Sequence, residues 1–264
     1  MSMAAPPGES PTWKMDSWKF YDITHARHTI MNPLASEQLD LLVGAVDLPP
    51  GAVVADLGCG KGEFLIRMAH RHRCSGVGID LSPLVAREAR RRIRAQVPRV
   101  RVRILLGDGA THRPPPGKRY DLAACVGATW MFGRYRPTLA GLRAIVKPGG
   151  FALIGEPFWR SRAPAAYLRA VGERRSTYLT HAGNQRAATS AGWELLHSVV
   201  SSPDDFDLYE GLQWSAAEDY ARRRPRDPDV PELLARVGRE REAYERWGRD
   251  CFGWAAYLLR ARPE

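Results

Sequence analysis

Lysine is scarce in this sequence. Of 39 basic side chains in 264 residues, only Lys14, Lys19, Lys61, Lys118 and Lys147 are lysine. Arginine supplies the rest, and a skew spread along the whole chain points to genome composition rather than to a site. Long apolar runs are also missing. None approaches the roughly 20 residues that span a bilayer. The start, MSMAAPPGESPTWKMDSWKF, has neither a basic head nor a long apolar segment, which argues against a secretory signal. Cysteine occurs four times, at Cys59, Cys74, Cys125 and Cys251, never at a CxxC spacing. These read as reduced thiols in a cytoplasmic protein, with no metal site.

What is present in excess is positive charge, +10 net. That raises the question of nucleic acid. Eight arginines lie between Arg87 and Arg103. Within that stretch Val85, Ala89, Ile93 and Val97 recur every four residues, the buried stripe of a helix. Arg87, Arg90, Arg91 and Arg94 then fall mainly on the wet face, so a solvated surface is favoured over a phosphate-binding one.

The chain is long enough for one large domain, or a domain with a cap. Residues 1–15, rich in Pro, Gly and Ser, read as a mobile tail. Residues 16–35 have no clean period and read as an N-terminal lid. Ser36 to Val46 fits a helix with Ser36 as its N-cap. A regular alternation follows. Strands are expected at 53–57, 76–80, 100–105, 121–126 and 151–155. Helices are expected at 63–72, 83–96 and 137–146, the last with Pro137 in its first turn. The helix that should follow the third strand is hidden in the loop near 111–118 or lost. Residues 164–192 read as helical and 193–201 as a strand. Then comes a helical cap insert at 203–250, and residues 251–264 carry a last strand. The core spans 36–202. This rhythm implies a mostly parallel sheet covered by helices.

The informative stretch is VVADLGCGKGEF, residues 53–64. Glycines at 58, 60 and 62 close the first strand, where ligands of open α/β sheets bind. The dinucleotide fingerprint G-x-G-x-x-G fails, because position 63 is Glu. The phosphate loop fails too, because no Ser or Thr follows Lys61. What fits is an acid first, Asp56, then alternate glycines. A carboxylate there would repel a pyrophosphate and suit a cationic end. Asp80 closes the second strand, where a carboxylate can take both ribose hydroxyls. Asp108, in LLGDGAT, follows the third strand. Gly127 and Ala128 leave room after the fourth.

These pieces resemble the class I S-adenosylmethionine-dependent methyltransferase family. The resemblance covers about residues 36–200 and rests on VVADLGCGKGEF, GVGIDLSP, LLGDGA and LAACVGATW, with LRAIVKPGGFALIGEP after them. It implies a Rossmann-like α/β fold, a mostly parallel seven-stranded sheet with an antiparallel last strand, plus helical cap elements. It implies S-adenosyl-L-methionine as cofactor. Asp56, Gly58, Cys59, Gly60 and Gly62 would hold the methionine part. Asp80, with Leu81 and Ser82, would hold the ribose, and Asp108, Gly109 and Ala110 the adenine. Val126, Gly127 and Ala128 would line the space where donor and acceptor meet.

Family members that methylate exocyclic amines carry an (N/D)PP(Y/F) tetrad after the fourth strand. Here that place reads Val126-Gly127-Ala128-Thr129. The sequence looks most like the members that act on small metabolites, as a monomer or homodimer, with neither nucleic acid nor membrane as partner. The acceptor pocket would come from three pieces. They are the lid, with Trp18, Tyr21, His25, His28 and Asn32; Trp130 and the stretch after the fifth strand, with Glu156, Phe158 and Trp159; and the insert, with Phe206, Tyr209, Trp214 and Tyr220. Such aromatics suit an apolar or planar acceptor. A hydroxyl or protonated amine acceptor would also need a base. His28, then His25, are the candidates, with Glu156 orienting the acceptor or the histidine. Two other classes stay open, a nucleic-acid methyltransferase using the arginine surface and an inactive cofactor-binding module.

Overall fold

The computed structural model describes residues 13–263. Seven strands form one sheet: β1 (Val53–Leu57), β2 (Ser75–Asp80), β3 (Val102–Leu106), β4 (Tyr120–Val126), β5 (Val146–Trp159), β6 (Trp193–Val200) and β7 (Phe252–Ala261). Their order is β3-β2-β1-β4-β5-β7-β6. Neighbours from β3 to β5 run parallel, and β7 runs antiparallel to both β5 and β6. The chain leaves β1 toward β2 and β3, then returns to β4 on the other side. That reversal opens a crevice beyond the carboxyl ends of β1 and β4.

Among the described residues nine helices of seven residues or more surround the sheet: α1 (Ser17–Thr24), α2 (Ser36–Gly44), α3 (Glu63–His72), α4 (Pro83–Gln96), α5 (Tyr135–Ile145), α6 (Ala165–Val171), α7 (His181–Ser190), α8 (Pro203–Arg223) and α9 (Val230–Ala243). No helix among the described residues is long and apolar enough to cross a membrane. In α4, Ser82 accepts from the Val85 N–H as N-cap, and Pro83 occupies the first turn. Val85, Ala86, Ala89, Ile93 and Val97 are buried. Arg87, Arg91 and Arg94 are exposed as expected, but Arg90 is half-buried, its Nε donating to the Ile104 carbonyl at 3.1 Å.

Several boundaries differ from expectation. Ser36 is the first residue of α2, and Ala35 is its cap. The cap's N–H is held by the Gln38 side chain at 3.0 Å. No α-helix follows β3; a single 3₁₀ turn, Gly109–Thr111, takes its place. The segment 164–192 is broken into α6, a 3₁₀ turn and α7. The largest difference is β5. It continues beyond Gly155, so that Glu156, Pro157, Phe158 and Trp159 pair with Ala255, Trp254, Gly253 and Phe252. The GEPFW stretch is therefore strand interior, not a connection after the strand.

Residues 203–251 stand between β6 and β7 as α8, α9, a π-helical turn at Tyr244–Gly248 and a short helical turn at Arg249–Cys251. Together with α1 they share a small apolar cluster: Met15, Phe20, Ile23, Ala217, Leu233 and Val237. Lys19 pairs with Asp227 at 2.8 Å and Asp229 at 2.7 Å. Such exposed pairs contribute about 0–1 kcal/mol each. Burying a large apolar side chain contributes roughly 1.5–3 kcal/mol, so the cluster dominates the docking of α1. Most of the expected mobile tail lies outside the described residues. Residues 13–15, at its end, are docked: the N–H groups of Lys14 and Met15 donate to Glu232, and Arg239 stacks on Trp13.

Candidate active site

The glycine loop leaves β1 with Gly58, Gly60 and Gly62 all in the left-handed region, at φ +77°, +52° and +78°. Residues with a Cβ rarely adopt this. A Cβ on Gly58 would also stand 2.4 Å from that of Ala128. Gly62 caps α3 and packs toward Ile93 of α4, so it supports the loop from behind. Asp80 fastens the loop to the end of β2. Its Oδ2 accepts the Gly60 N–H at 2.8 Å, and its Oδ1 accepts that of Ser82 at 2.9 Å. Each oxygen keeps a further lone pair for a ligand.

Above this loop lies a cleft of about 880 Å³, counting its open mouth. The core contributes Gly58, Gly60, Asp80, Leu81, Ser82 and Val85. The end of β4 contributes Val126, Gly127, Ala128, Trp130 and Met131. The N-terminal segment contributes Trp18, Tyr21, Asp22, His25 and Met31, and α8 contributes Tyr209. A smaller cavity adjoins, sharing Met31, Gly58, Gly60 and Val126, and is lined also by Asn32, Asp56, Cys59 and Lys61. Asn32 is pinned there, its Oδ1 accepting from Leu34 N–H and its Nδ2 donating to the Val126 carbonyl.

The side chain of Asp56 is buried, and its carboxyl has no hydrogen-bond partner among the described residues. Burial, aided by the nearby charge of Asp80, pushes its carboxyl up to about 8. An ammonium group entering the small cavity would compensate it, whereas a phosphate would not. The paired cavities therefore fit a ligand with an amino-acid end and a nucleoside end. Asp108 caps the turn after β3, accepting from Ala110 N–H at 2.9 Å. Asp108, Gly109 and Ala110 do not line the cleft. The Met131 methyl stands against both Gly58 and Gly109 and closes that side.

The histidines divide. His25 lines the cleft, while His28 lines an outer groove with Arg27, Ser36, Asp205 and Leu208. His25 Nε2 is 2.9 Å from the Tyr209 hydroxyl. His28 Nε2 donates to the Tyr209 carbonyl at 3.0 Å, and its Nδ1 is buried without a partner. Burial depresses both, His25 to about 3 and His28 to about 4. Glu156 lies under the site, not in it. Its Oε2 accepts from Thr129 Oγ1 at 2.5 Å, and burial pushes its carboxyl up to about 8.

Five expected pocket aromatics lie elsewhere. Phe158 and Trp159 are buried where β5 pairs with β7; Trp159 Nε1 donates to the Arg175 carbonyl at 2.9 Å. Trp214 packs on Tyr244 under the Arg241 guanidinium. Phe206 is likewise in the main core, and Tyr220 donates to Asp227. Sequence reasoning missed Asp22, Met31 and Met131. Asp22 had a signal, since it lies on the helix face of Trp18, Tyr21 and His25. It also missed what Lys61 does. That ammonium donates to the carbonyls of His25 at 2.8 Å, Ala26 at 3.1 Å and His28 at 2.7 Å. The glycine loop thus grips the end of α1. The four cysteines are buried and free, and no cluster among the described residues could hold a metal ion.

A family model described as a methyltransferase domain matches residues 54–150. A protein of Escherichia coli K12, described as uncharacterized protein YjhP, is 33% identical over 94% of this chain and 100% of its own length. A S-adenosylmethionine-dependent methyltransferase from Geobacter sulfurreducens, solved with S-adenosyl-L-homocysteine, is 32% identical with a TM-score of 0.86, covering 92% of this chain and 98% of that one. Another from Thiobacillus denitrificans, also with S-adenosyl-L-homocysteine, is 34% identical with a TM-score of 0.85, covering 94% and 100%. Matches of this identity across nearly the whole length, on a cleft built for an amino-acid and nucleoside ligand, identify the chain as a member of the class I S-adenosylmethionine-dependent methyltransferase family.

Proposed function

We propose that this enzyme methylates a small-molecule acceptor. One observation carries the reading: the cleft is roofed. Trp18, Tyr21 and His25 of the lid and Tyr209 of α8 cover the same cavity that Gly58, Asp80 and Gly127 floor. A partial roof of this kind suits a ligand taken in whole and cuts down the water around it. A long polymer strand would need an open groove.

The bound cofactor supplies a methyl group on a sulfonium. Asp56 and the glycine loop would hold its amino-acid end and Asp80 its ribose, while Asp108 would reach the adenine only if Met131 moved aside. Thr129, held by Glu156, fixes the turn after β4. His25 is the histidine on the cleft, where it holds the Tyr209 hydroxyl, because His28 faces the outer groove.

Calorimetry with S-adenosylmethionine, its demethylated product, NAD and ATP tests the cofactor. Transfer of labelled methyl to a metabolite panel tests the acceptor class. Labelling of bulk RNA, with binding that falls steeply as salt rises, would replace this reading with a nucleic-acid one.

A further inference from the structure

The direction of one hydrogen bond in the cleft follows from its neighbours. His25 Nδ1 lies 3.1 Å from the Tyr21 carbonyl. A carbonyl can only accept, so Nδ1 carries the hydrogen. Thr24 Oγ1 is also 3.1 Å from Nδ1, but it has two carbonyls to donate to, Phe20 at 3.0 Å and Tyr21 at 3.4 Å, and can accept from Nδ1. A buried, neutral imidazole has one N–H. Nε2 is therefore bare, and the Tyr209 hydroxyl at 2.9 Å donates to it.

That arrangement commits the single proton of Tyr209. What remains on its oxygen is a lone pair, with no other hydrogen-bond partner among the described residues. The surrounding wall is aromatic or apolar: Trp18, Tyr21, Met31 and Trp130. The other polar side chains on the cleft, Asp22, Asp80 and Ser82, cluster at the β2 end, where Asp22 and Ser82 meet at 3.4 Å.

We propose that Tyr209 Oη selects the methyl acceptor by accepting a hydrogen bond from it, so that the acceptor is a planar, largely apolar molecule presenting an O–H or N–H. This rests on the small-molecule reading above. Tyr209 is the residue that touches the acceptor. His25 is a positioning residue that holds the tyrosine proton away from it. With the opposite tautomer, the tyrosine would present a donor and choose the opposite ligand.

The charged and titratable neighbours keep the direction fixed. His28 and Lys61 add to the burial that depresses His25. Glu210 of α8, Tyr21 and Glu240 of α9 add to the burial that raises Tyr209. Neither group changes its protonation between about pH 5 and about pH 9.

The test uses the full-length protein saturated with S-adenosyl-L-homocysteine and two probe pairs, phenol with anisole and indole with 1-methylindole. Each pair differs by the donor hydrogen. The donor member should bind tighter on the order of tenfold, the scale of one hydrogen bond. Tyr209→Phe, which keeps the ring, should bring the ratio close to one. Nitrogen-15 spectra of the imidazole should show Nδ1 protonated and Nε2 bare, with the Nε2 signal moving in Tyr209→Phe. Equal binding of both members, a preference that survives Tyr209→Phe, no binding of either pair, or a protonated Nε2 would each overturn the proposal. If S-adenosyl-L-homocysteine itself fails to bind, the methyltransferase reading falls separately, and the imidazole spectrum of the free protein still tests this one.

Discussion

Asp80 holds Gly60 as well as facing the cleft: its Oδ2 takes the glycine N–H at 2.8 Å while its Oδ1 takes that of Ser82. A carboxylate on the cleft is thus also the one that shapes the loop. Asp80→Ala should weaken binding of S-adenosyl-L-homocysteine by about 1.5–3 kcal/mol, the scale of a charge-assisted hydrogen bond. It should also lower the melting temperature without ligand. Calorimetry and thermal unfolding read the two effects. A lower melting temperature with intact affinity would place the ribose elsewhere.

Gly58→Ala should be costly for two independent reasons. The backbone is left-handed there, and the new methyl meets Ala128. Each effect costs about 1–3 kcal/mol. Urea unfolding should show the loss. Gly117→Ala, also left-handed but with open space around it, should show the backbone part alone.

Stability should fall as pH rises. Asp56, Glu156 and Glu210 are each pushed by burial to about 8. In the unfolded chain they lose their protons near pH 4, at about the model-peptide values. Between about pH 4 and about pH 8 the unfolded state binds fewer protons than the folded one, so unfolding becomes easier with each step upward. Below that window the penalty is absent. Glu156→Gln should flatten the slope, as read from urea midpoints across pH. An equal slope in the variant would mean that Glu156 is already ionised in the folded protein.

Lys61→Met should loosen the lid. Three carbonyls at the end of α1 lose their ammonium. Amide exchange over residues 17–28 should quicken on the order of tenfold or more, given about 1.5–3 kcal/mol for hydrogen bonds to a charge. Lys61→Arg should restore part of the protection. Unchanged exchange in Lys61→Met would show that the apolar cluster around Phe20 holds the lid alone.

Local signals made the floor of the site legible. Glycines that need left-handed backbone, acids at strand ends and a proline in a first turn act within a few residues of themselves. β1, α3 and α4 accordingly start and stop where the sequence places them. The course of Glu156 to Trp159 was hidden because its cause is remote. Its partner is β7, about a hundred residues later in the chain, and only that pairing makes the stretch a strand. The choice between His25 and His28 was hidden for a related reason. Their rings do approach, with centroids 5.0 Å apart, as their spacing suggests. Which cavity each one reaches depends on where α8 threads Tyr209 between them. Lys61 gave no signal, since nothing local says which carbonyls its long side chain will find.

The polypeptide makes its excursion through α8 and α9 between two strands that lie side by side. It departs and returns at one spot, where Ser201 N–H donates to the Trp254 carbonyl at 3.0 Å. Tyr209 therefore rides on a cassette whose two ends are already stitched together by the sheet. A descendant can lengthen, shorten or trade that cassette without re-registering a single strand.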